Sequence, residues 1–281
     1  MNFDIDGIRY HVDKWSSQSL DSPLLLLHGF TGDSAAWREF EPQWKRHSNT
    51  ITVDIIGHGK TDSPLDESRY DIESMASDLH KLLKEMGIEQ TDLLGYSMGG
   101  RLAITFALKF PKMVRKLILE SSSPGLETER EREARRIQDE QLAWRIQEYG
   151  VNGFVEYWEN IPLFQSQKRL PENLRKKIRM QRLNNSQVGL INSLKGMGTG
   201  SQPSFWEELD QLNIPTLLIT GSLDEKFCRI ADKMIEKLKK GEWVSITDCG
   251  HAIHVENPEI FGTIVSEFLS NDDGENFKIR Q

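Results

Sequence analysis

Residues 91–110 read TDLLGYSMGGRLAITFALKF, and they contain the most informative motif of the chain. An apolar run with strand character leads straight into GYSMGG, and a helical pattern follows until Pro111 ends it. A serine between glycines, where a strand passes directly into a helix, is typical of a G-x-S-x-G nucleophile elbow. The glycines relieve crowding in that turn, so the hydroxyl of Ser97 projects from it. We predict that Ser97 carries the chemistry; the alternative is a glycine-rich turn without chemistry.

Short apolar strands and amphipathic helices alternate on both sides of this stretch. The predicted strands span 24–27, 49–54, 91–95, 114–120, 216–220 and 243–246, and the predicted helices 71–86, 99–110, 230–238 and 258–269. This alternation indicates an α/β fold, with a mostly parallel central sheet flanked by helices. In such sheets ligands bind beyond the carboxyl ends of the strands, so functional residues are expected in the loops that follow them.

The sequence changes character between the fourth and fifth predicted strands. No β-rich run occurs there, and charged helical segments separated by prolines take over. The predicted helices of this region span 127–149, 153–160, 171–183 and 187–195. This pattern predicts a helical insertion over 123–212 in a core formed by 1–122 and 213–281.

A catalytic serine needs a general base, and histidine is the usual one. His251 lies in DCGH, after the predicted strand 243–246 and before the last helix, which is a suitable place for that base. His254, three residues further on, is its rival. His28 and His58 lie in glycine-flanked loops and are expected to shape turns or pair with neighbours. The other histidines are expected at the surface: His11, His47 and His80.

The base in turn needs an orienting acid. Asp224 follows a predicted strand within GSLD, Glu225 beside it is a rival, and Glu120 at the end of another strand is a third candidate. Ser97, Asp224 and His251 follow one another in the order that this type of sheet gives, each in a loop after a different strand. That combination is far more specific than any one of the residues alone.

Backbone N–H groups are expected to stabilise negative charge that develops on a substrate. The N–H of Met98 lies at the start of the helix that follows the elbow. The loop after the first core strand reads HGFTG over 28–32, and the N–H of Phe30 within it is the natural second donor. The alternative for this loop is a plain glycine turn.

Composition excludes several classes of protein. With 37% hydrophobic and 28% charged residues among 281, the chain can bury a sizeable core and is not disordered. A net charge of −8 argues against broad binding to nucleic acid or anionic membranes. No secretory signal and no membrane-inserting run is visible, and Cys228 and Cys249 have no disulfide-framework or metal-ligand spacing. We expect a cytoplasmic protein without metal or cofactor; the sequence leaves the oligomeric state open.

Five motifs together resemble the α/β-hydrolase superfamily. They are LLLLHGF, VDIIGHGKTDSP, GYSMGG, LLITGSLDEKF and CGHAIHVENP, and the likeness covers nearly the whole chain. The resemblance implies the α/β-hydrolase fold, with the helical insertion in the place where this superfamily carries its lid.

A narrower resemblance favours one family within that superfamily. GYSMGGR, ESSSPGLETEREREARRIQDEQLAW, YWENIPLF and MQRLNNSQ resemble the 2-succinyl-6-hydroxy-2,4-cyclohexadiene-1-carboxylate synthases of menaquinone biosynthesis. These lyases eliminate pyruvate from 2-succinyl-5-enolpyruvyl-6-hydroxy-3-cyclohexene-1-carboxylate. The resemblance implies three triad residues and five substrate-binding residues: Ser97, Asp224 and His251, then Tyr96, Arg101, Arg135, Trp158 and Arg182.

A small substrate with three carboxylates suits these side chains, because guanidinium groups bind carboxylates bidentately. Arg101, Arg135 and Arg182 supply three cations, and the alternative for each of them taken alone is a surface ion pair. In the implied reaction Ser97 is a base, and the two predicted N–H donors hold an enolate oxygen.

Two other functions fit the same sequence. A serine carboxylesterase or carbon–carbon-bond hydrolase would use the same triad, with Ser97 as a nucleophile or as the activator of a water molecule. A binding protein of this fold would have lost turnover, and the complete triad argues against it. Trapping of an acyl-serine would favour the hydrolase, and release of pyruvate would favour the synthase.

Overall fold

The computed structural model describes residues 1–17, 22–46 and 48–271. The strands are β1 (Asn2–Ile5), β2 (Ile8–Trp15), β3 (Leu24–Leu27), β4 (Thr50–Val53), β5 (Thr91–Tyr96), β6 (Val114–Glu120), β7 (Thr216–Gly221) and β8 (Gly241–Ile246). The helices are α1 (Glu41–Trp44), α2 (Ile72–Glu85), α3 (Met98–Lys109), α4 (Glu129–Trp158), α5 (Glu172–Leu183), α6 (Gln187–Gly196), α7 (Glu225–Lys237), α8 (Ile253–Glu256) and α9 (Pro258–Ser270). Every predicted core strand and helix is present.

The strands of the described residues form one sheet in the order β1-β2-β4-β3-β5-β6-β7-β8. Six neighbouring strands run parallel, namely β4, β3, β5, β6, β7 and β8, whereas β2 pairs antiparallel with both β1 and β4. The prediction of a mostly parallel sheet is confirmed. The β1–β2 hairpin at the sheet edge was not predicted from the sequence.

That hairpin overturns the expectation that His11 lies at the surface. The pairing of β1 with β2 places Asn2 opposite His11, whose Nδ1 lies 3.2 Å from Asn2 Oδ1, and His11 is buried. His80 is also not freely exposed, because its half-buried ring stacks on the ring of Phe110 with centroids 4.2 Å apart. His47 lies outside the described residues.

The four leucines of β3 show why the core strands are apolar without alternation. Leu25 and Leu27 pack on the sheet face that α2 and α3 cover, and Leu24 and Leu26 pack on the other face against aromatic side chains that include Trp37. Successive side chains of a strand point to opposite faces, and here both faces are covered. All four leucines are therefore fully buried.

The order of the strands determines where loops meet. β3 lies between β4 and β5, and Leu27 at the end of β3 is in register with Gly95 near the end of β5. A site forms where connections leave neighbouring parallel strands in opposite directions. The loop over 28–32 and the turn at Ser97 meet at that point.

The chain between β6 and β7 is helical, as predicted. It contains α4, α5 and α6, and α4 is interrupted at Gly150, where φ is 66°. α4 and α6 share a small apolar core of their own that includes Ile146, Phe154 and Leu190. The exact division at 123–212 stays a prediction. Within the described residues, no helix has the length and apolar character of a membrane span.

The boundary that differs most from prediction is the start of α7. It begins at Glu225 rather than at residue 230, because the Asp224 side chain accepts a hydrogen bond from the Phe227 N–H at 3.3 Å and caps the helix. Asp224, the predicted orienting acid, is therefore both the last residue of the loop after β7 and the N-cap of α7, and this fixes its position.

Candidate active site

Ser97 occupies the sharp turn between β5 and α3, with φ 51° and ψ −107°. Non-glycine residues rarely adopt positive φ, and such strained residues cluster at functional sites. A Cβ on Gly95 would overlap the carbonyl oxygen of Gly99, and a Cβ on Gly99 would overlap that of Leu27. Space therefore requires both glycines of the motif, and the turn presents Ser97 to a cavity.

Three side chains that follow β5, β7 and β8 form one hydrogen-bonded chain. His251 Nε2 lies 3.0 Å from Ser97 Oγ, and His251 Nδ1 lies 2.7 Å from Asp224 Oδ2. An ionised carboxylate only accepts hydrogen bonds, so the Nδ1–H of His251 donates to Asp224. Nε2 is then left to accept from the Ser97 hydroxyl, which is the arrangement that a serine base or nucleophile needs.

None of the three rival residues takes part in this hydrogen-bonded chain of Ser97, His251 and Asp224. Glu225 is exposed and pairs with Arg229 along α7, at 3.3 Å. Glu120 and His254 pair with each other: His254 Nδ1 lies 2.9 Å from both carboxylate oxygens, and the His254 N–H donates to Oε1 at 3.0 Å. The sequence left these alternatives open and did not predict this second buried pair. It lies next to the elbow, because the Ser97 N–H donates to the Glu120 carbonyl.

His28 and His58 shape backbone turns, as expected. His28 Nδ1–H donates to the carbonyl of Gly29 at 2.8 Å, and its Nε2 accepts from the N–H of Ile55 at 3.0 Å. His58 Nδ1–H donates to a backbone carbonyl at 3.1 Å. Burial lowers the pKa of His58 to about 3, so this ring is neutral.

Phe30 and Met98, the two predicted N–H donors, line the same cavity as Ser97. Met98 is the first residue of α3, so its N–H has no acceptor within the helix. Among the described residues, neither the Phe30 N–H nor the Met98 N–H donates to a protein acceptor. Their role as oxyanion donors stays a prediction, which these unused donors support.

The cavity over Ser97 has a volume of about 460 Å³ and lies between the sheet loops and the helical insertion. Aromatic rings form part of its wall: Phe30 meets Trp158 edge to face at 5.6 Å, and Phe164 lies 6.2 Å from His251. Four of the five predicted substrate-binding residues line it together with Ser97 and His251: Tyr96, Arg101, Arg135 and Trp158.

Arg101 is buried and ties the elbow helix to the insertion. Its Nη1 donates to the Met197 carbonyl and to Gln202 Oε1, each at 2.7 Å. Burial, and then the positive charge of Arg135, lower the pKa of Arg101 to about 9. The guanidinium is thus positioned by neutral partners and keeps its charge available to the cavity.

Arg135 approaches the cavity from α4 and is held by Asp139. Its Nε donates to Asp139 Oδ1 at 2.8 Å, one helical turn along. Asp139 is buried, and within the described residues its Oδ2 has no hydrogen-bond partner. Burial raises the pKa of this carboxyl, which the arginine opposes. Asp139 was not predicted from the sequence, although its spacing of four residues from Arg135 on a helix was a usable signal.

Tyr96 and Trp158 add polar atoms to the aromatic wall. The Tyr96 ring lies 5.4 Å from the His251 ring and 4.6 Å from the His254 ring, and burial raises its pKa well above the usual range. The indole N–H of Trp158 is buried and has no acceptor among the described residues. An unpaired buried donor costs free energy, so a ligand acceptor in the cavity would relieve it.

Arg182 is the predicted binding residue that the structure does not bring into this cavity. Its guanidinium lies over the ring of Phe164, 4.7 Å from the centroid, and Nη2 donates to Gln167 Oε1 at 3.0 Å. It lines two neighbouring cavities instead, and Phe164 lines all three. Packing of α5 against this ring, which no sequence pattern indicated, places Arg182 there.

The sheet order, the strained serine turn and the Ser-His-Asp chain define a protein of the α/β-hydrolase class. In agreement, residues 22–258 match the α/β hydrolase fold family. Within that class, the chain belongs to the 2-succinyl-6-hydroxy-2,4-cyclohexadiene-1-carboxylate synthase family. It is 45% identical, over 95% of its length and 96% of the relative, to a Bacillus subtilis protein provisionally named as this synthase. The Photorhabdus laumondii synthase is 31% identical over 89% and 86% of the two chains.

Solved structures agree with this relationship. MenH from S. aureus superposes with a TM-score of 0.89 at 34% identity, covering 95% of this chain and 99% of its own. A thermophilic esterase from Thermogutta terrifontis, solved with malate bound, gives a TM-score of 0.80 at 25% identity, covering 96% and 97%. Both the superfamily and the family predicted from the motifs are confirmed.

Proposed function

We propose that this protein is a 2-succinyl-6-hydroxy-2,4-cyclohexadiene-1-carboxylate synthase. It eliminates pyruvate from 2-succinyl-5-enolpyruvyl-6-hydroxy-3-cyclohexene-1-carboxylate in menaquinone biosynthesis. The observation that carries the proposal is that the guanidinium groups of Arg101 and Arg135 share one cavity with the Ser97–His251–Asp224 chain. The named relatives at 45% and 31% identity support the same reaction.

The first step is removal of a proton from the ring carbon next to the succinyl ketone. Ser97 Oγ takes this proton while its own proton passes to His251 Nε2, 3.0 Å away. The imidazolium that forms is stabilised by Asp224 at 2.7 Å. The ketone oxygen becomes an enolate, and the N–H groups of Phe30 and Met98 hold it.

The second step expels pyruvate. The electron pair of the enolate moves through the ring double bond, forms the second double bond of the diene and breaks the bond from the ring to the enolpyruvyl oxygen. His251 returns its proton to the departing group, which leaves as pyruvate, and no water is consumed. Ser97 is therefore a base in this reaction, and no acyl-enzyme forms.

The charged wall of the cavity recognises the substrate. Arg101 and Arg135 offer planar donor pairs that match carboxylates, and a neutral ester has no anionic group for these two cations to bind. The aromatic wall around Phe30 and Trp158 excludes water from the enolate, which strengthens the electrostatic stabilisation of its oxygen.

The direct test is pyruvate release. The purified protein is incubated with the enolpyruvyl substrate, and pyruvate is measured with lactate dehydrogenase and NADH. We expect release with turnover, loss of that turnover in Ser97→Ala, and no covalent adduct by intact-mass spectrometry. Pyruvate formation no faster than in buffer would overturn the proposal.

A serine esterase is the second candidate, because the triad and the two N–H donors also suit a tetrahedral oxyanion, and an esterase is a structural neighbour at 25% identity. In that reaction Ser97 attacks the ester carbonyl and an acyl-serine forms. A burst of product with 4-nitrophenyl acetate, together with an acetylated Ser97 peptide, would favour the esterase over the synthase.

A further inference from the structure

Lys226 is a cavity-lining cation that neither the motifs nor the family resemblance singled out. It lies in the first turn of α7, two residues after Asp224, and lines the same cavity as Ser97. Within the part of the chain that the structure describes, its ammonium group has no hydrogen bond and no ion pair. The ammonium group lies over the ring of Phe227, with Nζ 5.4 Å from the ring centroid.

The other cations of α7 at this cavity are already neutralised. Arg229 pairs with Glu225 at 3.3 Å, and Lys233 pairs with Glu127 at 2.7 Å. Lys226 differs from these two cations of α7, because no carboxylate among the described residues forms an ion pair with it.

Lys226 is an exposed residue whose ammonium group is affected by one like charge, that of Arg135, and one opposite charge, that of Asp224. Desolvation lowers the pKa of Lys226, and the positive charge of Arg135 lowers it further, against the attraction of Asp224. Arg135 also acts in this way on Arg101, and Asp139 is the carboxylate near both arginines. Five basic residues line the cavity against two acidic ones, Glu127 and Glu131, so its wall carries net positive charge, which favours an anionic ligand.

The position of Lys226 in its helix is also unfavourable for stability. The first turn of a helix carries partial positive charge and favours acidic residues, as Glu225 illustrates. A lysine at this position, near Arg135, is disfavoured in the unliganded protein. Residues that cost stability in this way are expected at functional sites.

We propose that Lys226 binds a carboxylate of the substrate together with Arg135 and so helps to select polycarboxylates. The inference rests on the proposed function for the identity of the ligand, since three carboxylates need more cations than Arg101 and Arg135, and Arg229 already pairs with Glu225. An ammonium group suits this role because its three donors adapt to a carboxylate that Arg135 already orients.

The test compares three variants on α7. Lys226→Gln removes the charge, Lys226→Arg keeps it, and Lys237→Gln removes a lysine whose exposed ion pair with Glu207 lies away from the cavity. We expect Lys226→Gln to raise the KM for pyruvate release about tenfold with kcat within about threefold, while Lys226→Arg and Lys237→Gln stay within about threefold of wild type. The melting temperature of Lys226→Gln should equal or exceed that of the wild type. A KM for Lys226→Gln within twofold of wild type would overturn the proposal.

A binding measurement separates failure of this inference from failure of the proposed function. Citrate, a stable tricarboxylate, is titrated into wild type and Lys226→Gln at low ionic strength by calorimetry. Weaker citrate binding by the variant supports Lys226 as an anion contact, even if the wild type releases no pyruvate. Equal affinities, or no citrate binding by the wild type, would contradict it.

Discussion

The triad and the cationic wall of the cavity are built in opposite ways. The triad side chains follow strands of one sheet, and each has its hydrogen-bond partner within 3.0 Å without any ligand. The cations Arg101, Arg135 and Lys226 come from α3, α4 and α7. The buried carboxylate of Asp139 lies near the two arginines, and none of the three cations is held by a triad-like chain of partners.

This difference separates chemistry from recognition. Hydrogen bonds that exist before substrate arrives need no reorganisation during the reaction, so the triad is ready to transfer a proton. Like charges that face a cavity repel one another until an anion enters, so the wall gains its full stabilisation only in the complex. We therefore expect the triad to determine kcat and the cationic wall to determine which substrate is bound.

The largest effect is expected from Ser97→Ala. Without the hydroxyl no base is present at the elbow, so kcat for pyruvate release should fall by about 10⁴ or more. KM should change little, because the cationic wall is intact. Stopped assays of pyruvate, with circular dichroism to confirm folding, measure this. Activity within tenfold of wild type would mean that the triad does not carry the reaction.

Asp224→Asn should follow, with a loss of about 10³ to 10⁴ in kcat, because the amide no longer fixes the required tautomer of His251. Asparagine is also a good N-cap, so α7 should keep its start. Glu225→Gln, on the neighbouring exposed carboxylate, is the matched control and should stay within about twofold. Similar losses in the two variants would show that the effect comes from the helix terminus and not from the triad.

Arg135→Gln tests the cationic wall. Loss of a charged hydrogen bond to a carboxylate is expected to raise KM by about 10- to 100-fold, with a smaller effect on kcat. Arg136→Gln is the control, because Arg136 pairs with Glu129 and does not line the cavity. Added salt should weaken substrate binding in the wild type more than in Arg135→Gln. A fall in kcat with constant KM would contradict the division of roles.

Structural features that a short stretch of sequence encodes could be predicted, whereas features that depend on contacts between distant residues could not. The elbow, the strands and the loops of Asp224 and His251 are encoded in short motifs and hydrophobic patterns, so their positions were predictable. The Glu120–His254 pair joins residues 134 positions apart, and no local pattern indicates it. Glu120 and His254 were each considered only as candidates for the triad.

The same reasoning explains the errors in the rest of the chain. The β1–β2 hairpin is short, and its strands mix polar and apolar residues, so the pattern of Asn2–Ile5 was too weak to predict a strand. The burial of His11 follows from that missing pairing. In the insertion, the charged helices were predicted correctly. Which of their arginines face the cavity depends on tertiary packing, so this could not be predicted.

Arg182→Gln should have the smallest effect on substrate binding, a KM change of about threefold or less, because Phe164 separates Arg182 from the Ser97 cavity. Loss of its contact with that ring should instead lower the melting temperature, since buried cation–π contacts are worth about 0.5–2 kcal/mol. Arg179→Gln, on the same helix and paired with Glu159, is the control. A KM rise as large as that of Arg135→Gln would show that Phe164 moves aside in the complex and that Arg182 joins the cationic wall.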